Sequence, residues 1–210
     1  MVLINRRPYL ACRNPSSFWK EEMNLKPIVF IDIEIEPKSG KILDIGGIKG
    51  VGSSFHSNSM VDFAKFLYGS EYVCGHNIFN HDLKYIRNAL IDAGLDDTNI
   101  IDTLFLSPLL FPAKPYHKLL KDDKLQTEDT NNTLNDSIKA KDLFFDEIAA
   151  FQQADAGLRQ IYYQLLRDQR EFFSFFHFLG YQADNINIEK VIREKFYPQI
   201  CENSDLAKKS

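Results

Sequence analysis

The chain has 210 residues, of which 44% are hydrophobic and 26% charged; this suits a globular domain with a sizeable core and excludes collagen-like, low-complexity and disordered classes. With 25 Lys and Arg against 29 Asp and Glu the formal charge is −4, so any grip on a polyanion must come from a local basic patch. No apolar run approaches a membrane span, no apolar segment follows Arg6 and Arg7 as a secretory signal requires, and Cys12, Cys74 and Cys201 form neither a disulfide framework nor a metal pair, so the expectation is a cytoplasmic protein with reduced thiols and no membrane partner.

Residues 1–26 show no clean period and contain Pro8, Asn14, Pro15, Ser16 and Ser17, the pattern of a leader or arm. Ile28 to Ile35 reads as a strand ended by the turn residues Pro37 to Gly40, and Lys41 to Lys49 as a second strand. A short third strand is expected around Phe55, and Asp62, Phe63, Phe66 and Leu67 have helical spacing. Tyr72 to Gly75 is a short apolar strand, Asp82 to Gly94 a helix, and Ile100 to Leu104 another strand. This alternation predicts a mixed sheet with helices on its faces. Pro112 to Asn135 is polar and irregular, long enough for a functional lid, and helices resume at Asp136 and run to Tyr197 with breaks near Gly157 and at Gly180 to Asn187. The predicted organisation is a leader over 1–26, a domain over 27–153 and a helical extension over 154–210.

Three clusters of carboxylates carry the functional reading. Asp32, Glu34 and Glu36 alternate with Ile31, Ile33 and Ile35, so they share one face of the first strand. The preceding Ile28-Val29-Phe30-Ile31 run is apolar on both faces, as in a strand buried within a sheet. Carboxylates ending such a strand are costly unless paired or bound to a cation; a solvated strand face is the plain alternative. The segment Gly75-His76-Asn77-Ile78-Phe79-Asn80-His81-Asp82 joins a strand to a helix, and Asn77, Asn80 and Asp82 would also suit simple helix capping. Asp136 opens a helix on the stripe of Ala140, Leu143 and Phe144, which predicts an inward carboxylate.

In this order the three clusters resemble the DEDD 3′–5′ exonucleases of the ribonuclease-H-like superfamily, in the histidine (DEDDh) subtype, over residues 27–153. Ile101-Asp102-Thr103-Leu104 looks like a further stretch of that family. The resemblance implies an α/β, ribonuclease-H-like mixed sheet flanked by helices, with two Mg²⁺ or Mn²⁺ ions bound by Asp32, Glu34, Asp82 and Asp136. Two such ions about 4 Å apart can stabilise both the attacking and the leaving oxygen of a phosphodiester. His117 would take the proton from the attacking water, for which an unperturbed pKa near 6.5 is suited. Ile35 stands where the family usually has a threonine that helps seat the terminal nucleotide, and Asn77 lies in the family's strand-to-helix motif; both are expected at the substrate. His117 and Asp136 lie 19 positions apart, whereas Asp122 has the family's spacing of five; Asp136 is preferred because only its helix has an apolar stripe to hold it. Tyr116-His117-Lys118-Leu119 and the helical tail look similar to exonuclease modules fused ahead of RecQ-type DNA helicases, which implies a helicase domain in the same full-length chain and a role in DNA processing or repair.

Lys114, Lys118, Lys121 and Lys124 recur every three or four residues around His117, so a short helix would line them up as a basic edge, with Lys118 and Lys121 on substrate phosphates. A solvated face is the plain alternative. Tyr116 and Phe111 are candidates to stack an unpaired base. His76 and His81 are expected to be structural, since a magnesium site has little use for imidazole, and His56 and His177 carry no motif. The expected activity is metal-dependent 3′–5′ hydrolysis of single-stranded DNA ends; an exoribonuclease and a nuclease-inactive nucleic-acid-binding or docking module are the alternatives.

Overall fold

The computed structural model describes residues 26–50, 52–119 and 132–197. The leader up to Asn24 and Leu25, with Cys12, therefore lies outside the described residues, as do Lys121, Asp122, Lys124 and Cys201. The elements are β1 (Ile28–Ile35), β2 (Ile42–Lys49), β3 (Ser54–Ser57), α1 (Met60–Leu67), β4 (Tyr72–Gly75), α2 (Leu83–Asp92), β5 (Ile100–Asp102), α3 (Thr103–Leu110), α4 (Thr133–Gln153), α5 (Ala156–Leu166), α6 (Arg170–Leu179) and α7 (Ile188–Phe196). Among the described residues no helix is long and apolar enough to cross a membrane.

The architecture is α/β, a mixed five-stranded sheet in the order β3-β2-β1-β4-β5 with helices on both faces. β1 pairs antiparallel with β2 and parallel with β4, and β4 pairs parallel with β5. The carboxyl ends of β1, β4 and β5 therefore share one edge, where Asp32 and Glu34, the Gly75-to-Asp82 segment and Asp102 all fall.

β1 is apolar on both sides because both sides are covered. Val29, Ile31, Ile33 and Ile35 pack with Phe63 and Leu67 of α1 and Leu83, Ile86 and Leu90 of α2. Ile28 and Phe30 face the other way, onto Leu106 of α3, Phe144, Ile148 and Phe151 of α4, and Phe175, Phe176 and Phe178 of α6. The phenylalanine-rich stretch of α6 is thus core, with Phe151 edge-on to Phe175 and Phe176 at 5.5 and 5.9 Å. Of the helices after residue 153, α6 shares this core with β1 and α5 packs against it through Tyr162, Tyr163 and Leu166, whereas α7 buries no residue.

Several boundaries differ from expectation for identifiable reasons. The strand at Ile100 stops at Asp102, whose carboxylate accepts from Leu104 N at 2.9 Å and starts α3. α4 begins at Thr133, a turn before Asp136, because Asn132 accepts from Asn135 N at 3.2 Å. The break expected at Gly157 falls at Ala154 and Asp155, where Asp155 caps α5 through Leu158 N. Residues 112–119 form turns and bends, so Lys114 and Lys118 do not lie on a helix.

α4 can lie across β1 and β2 only because Gly46 has no side chain. A Cβ built there would stand 2.1 Å from the carbonyl carbon of Thr133. Gly46 pairs with Asp32, so the start of α4 is held directly beside the first candidate carboxylate. Gly46→Ala should destabilise the protein by about 3 kcal/mol, since neither backbone can yield without moving the helix; urea denaturation at pH 7 measures this, and a loss within 0.5 kcal/mol, the ordinary surface value of roughly that size, would show that α4 does not depend on the contact.

Candidate active site at the carboxyl edge of the sheet

On β1, Asp32 and Glu34 follow Phe30 on the face that α4 covers, and both are half-buried. Opposite them on β2 are Gly46 and Asp44. Asp44 Oδ2 accepts from Thr133 Oγ1 at 2.7 Å and lies 2.7 Å from His56 Nε2. This pair of contacts ties the first residue of α4 to the sheet. Asp136 sits in the first turn of α4, favoured there by the helix dipole, and Lys139 one turn on approaches its Oδ1 at 3.3 Å. Asp136 lies at the rim of the buried stripe, which runs through Thr133, Ser137, Ala140, Phe144, Glu147 and Phe151.

Asp82 occupies the cap position of α2 and is 2% exposed. Its side chain makes no capping bond; Oδ1 instead meets His81 Nδ1 at 2.9 Å. Burial pushes its carboxyl up to about 6, against the opposing pull of His81, and the neighbouring charge of Asp102 adds to the rise. Asp102 is fully buried and organises the segment before Asp82, accepting from Asn77 N at 2.7 Å and Phe79 N at 3.1 Å as well as from Leu104 N. Asn77 holds the left-handed conformation, φ 68°, that this turn requires. Burial raises the Asp102 carboxyl, and the backbone amides pull it back.

His117 lies on the segment after α3, with Nδ1 3.0 Å from Ser107 Oγ. It lines a cavity of about 350 Å³ together with Ser107, Lys114, Tyr116, Lys118, Leu119, Lys139 and Leu143. Lys139 therefore links this cavity to Asp136. His76, expected to be structural, is a brace for the same segment. Its Nδ1 is 2.8 Å from Thr103 Oγ1, and its Nε2 accepts from Leu119 N at 3.3 Å. Accepting at Nε2 requires the neutral ring, and burial lowers its pKa to about 4.

Asp32, Glu34 and Asp136 are thus brought to one face of the sheet, with Asp82 on the same edge at the head of α2. These donors suit a hard divalent cation in kind, and the raised carboxyl of Asp82 is one that a cation would return to its charged form. Among the described residues, however, no three His, Cys, Asp or Glu side chains converge closely enough to hold a metal ion, so a cation would have to draw them together. Ile35 points the other way, into the core with α1 and α2, which leaves its backbone as the part near the β1 end.

Glu147 is the inward residue that the sequence reading passed over. It is fully buried on α4, neither carboxyl oxygen has a hydrogen-bond partner among the described residues, and burial holds its pKa well above the carboxylate range. Its position eleven residues beyond Asp136 puts it on the same stripe, which was the available signal. Asp44 and His56 had no such signal, because their meeting depends on strand register. Comparison with family models, curated proteins and solved structures returns no match.

The pH dependence of Asp82 is a direct test of this electrostatic arrangement. Its folded pKa of about 6 exceeds the unfolded value of about 3.9, so between these limits the native state binds the extra proton and stability falls as pH rises. Above pH 6 the full cost of the buried charge is present. Asp82→Asn should therefore raise the thermal midpoint by a few degrees at pH 8 and change it little at pH 4; equal shifts at both pH values would mean that Asp82 is not strained by burial.

Proposed function

We propose that the chain is a metal-dependent 3′–5′ exonuclease with a ribonuclease-H-like fold, acting on single-stranded DNA ends as one module of a larger DNA-processing helicase. The observation that carries this reading is the meeting of Asp32 and Glu34, at the end of β1, with the first turn of α4 that bears Asp136. The mixed sheet with one face under α4 is compatible with that fold, and the carboxyl edge of parallel strands is where ligands of open α/β sheets bind.

In this reading Asp32, Glu34, Asp82 and Asp136 would hold the divalent ions, which when bound supply Lewis-acid stabilisation of the phosphate and a more acidic water. The protein's own contribution is to position and to move protons. His117, with Nδ1 occupied by Ser107, would accept the water's proton at Nε2. Lys139 neutralises Asp136 and reaches the His117 cavity, so it would pass from carboxylate to substrate phosphate as the site fills.

The same Lys139 contact supports a second reading, a nucleic-acid-binding module without nuclease activity, in which the ammonium rather than a metal permanently balances Asp136. Labelled DNA and RNA oligonucleotides incubated with Mn²⁺ separate the two. The exonuclease reading expects 3′-end shortening of single-stranded DNA, abolished in Asp32→Ala and Asp136→Asn, largely kept in Asp122→Asn, and slowed about 10²-fold in His117→Ala. Binding without shortening by the wild type supports the second reading, preferential shortening of RNA identifies an exoribonuclease, and loss of activity in Asp122→Asn rather than Asp136→Asn reassigns the fourth ligand.

A further inference from the structure

The helices after residue 153 send one side chain back toward the carboxyl edge of the sheet. Arg170, the first residue of α6, donates from Nη2 to Asp97 Oδ2 at 2.9 Å, in the short 3-10 turn Asp97–Asn99 that leads into β5. Its guanidinium also lies over the ring of Phe79, 4.5 Å from the ring centre. Phe79 belongs to the Gly75-to-Asp82 segment, and the same ring meets Phe105 of α3 nearly edge-on at 6.2 Å. With its N–H on Asp102 at 3.1 Å, Phe79 is held by α3, α6 and the end of β5 together.

Helix electrostatics argue against a cation at this position. The first turn carries the positive end of the helix dipole and favours acidic residues, and Gln169 at the cap makes no side-chain bond. Asp97 offsets the cost, and Arg87 of α2 donates to its other oxygen at 2.7 Å. A guanidinium suits the place because its edge can pair with a carboxylate while its flat face lies on a ring. α6 is seated independently of Arg170, by Ser174 Oγ donating to Thr98 O at 2.8 Å and by Phe175 and Phe176 in the core. Arg170 therefore projects from a rigid base, and the part it can steady is the segment beneath it.

That segment is a closed turn. The amides of His81, Asp82 and Leu83 donate to the carbonyls of Asn77 and Ile78 at 3.0, 3.1 and 2.9 Å, so a displaced Phe79 displaces Asp82. The charges acting on the Asp82 carboxyl among the described residues are those of His81 and Asp102, so Arg170 acts on it through position.

We propose that Arg170 is a positioning residue for Asp82: paired with Asp97 and laid on Phe79, it clamps the Asn77-to-Asp82 turn against β5, which makes α6 a working part of the candidate site. The clamp itself is independent of the exonuclease reading; only the role of Asp82 as a metal ligand rests on that reading.

Native-state hydrogen exchange of the whole protein, followed by NMR, tests the clamp. Arg170→Ala should speed exchange of the Asn77, Phe79, His81, Asp82 and Leu83 amides by about tenfold relative to amides of β1 and β4. Arg170→Lys should restore little, because one ammonium cannot reach the carboxylate and cover the ring at once. In a Phe79→Leu background Arg170→Ala should add almost nothing, as expected of two residues acting through one contact. Equal acceleration of all amides in Arg170→Ala reduces the residue to general stability and overturns the proposal. Full protection in Arg170→Lys, or additive effects of Arg170→Ala and Phe79→Leu, overturns the stacking on Phe79 and with it the clamp. Titration of the same proteins with Mn²⁺, read by electron paramagnetic resonance, follows the consequence for the site: several-fold weaker binding in Arg170→Ala is expected. A wild type that binds no Mn²⁺ while the exchange pattern holds counts against the exonuclease reading and leaves the clamp standing.

Discussion

The close approach of α4 to β2 at Gly46 is the constraint on which the rest of this molecule depends. A helix normally stands off a sheet by the thickness of two side-chain layers; here one layer is deleted, and the backbone of Thr133 rests where a Cβ would be. Two results follow from that one absence. The start of α4 is anchored by Thr133 to Asp44, and the body of the helix packs Phe144, Ile148 and Phe151 into one core with Phe30. The candidate site is therefore a consequence of core packing: the same contact that seats the phenylalanines brings Asp136 to the edge where Asp32 and Glu34 emerge.

The electrostatics of that edge run against stability. Asp82, Asp102 and Glu147 are all at most 2% exposed, and burial raises the pKa of each. Asp102 is offset by backbone amides that it in turn organises, so its burial has a structural return. Among the described residues the Asp82 carboxylate is met by the exposed His81, and neither carboxyl oxygen of Glu147 has a hydrogen-bond partner. Buried acids of this kind are retained against a stability cost where a site uses them. The positive counterpart is concentrated a few residues away, in the lysines of the cavity on the other side of Lys139, so that the Asp136–Lys139 salt bridge joins an acidic edge to a basic hollow.

Much of the architecture was legible in the chain because burial writes itself into periodicity. The run Ile28 to Ile31 could only be a strand covered on both faces, and the apolar spacing in α1, α2 and α4 announced which sides face inward. Starts and stops were less legible where a side chain decides them. Asp102 ends a strand by capping a helix, and Asn132 starts α4 a turn early; each is a single hydrogen bond, invisible to a hydrophobic pattern. His76 was expected to be structural, but what it braces was hidden for the same reason: its two partners, Thr103 and Leu119, are 27 and 43 residues away.

By itself, then, the sequence determined the element types, the two-sided burial of β1 and the alternation that places Asp32 and Glu34 on one face, since these follow from periods of 2 and 3.6 residues that local stereochemistry imposes. Only the tertiary structure decided that this face is the one α4 covers, that Asp44 and His56 join it, and that Lys139 stands between Asp136 and the His117 cavity. Those relations depend on strand register, on the order β3-β2-β1-β4-β5 and on one missing side chain at Gly46. They are set by contacts between residues far apart in the chain, which no local pattern records.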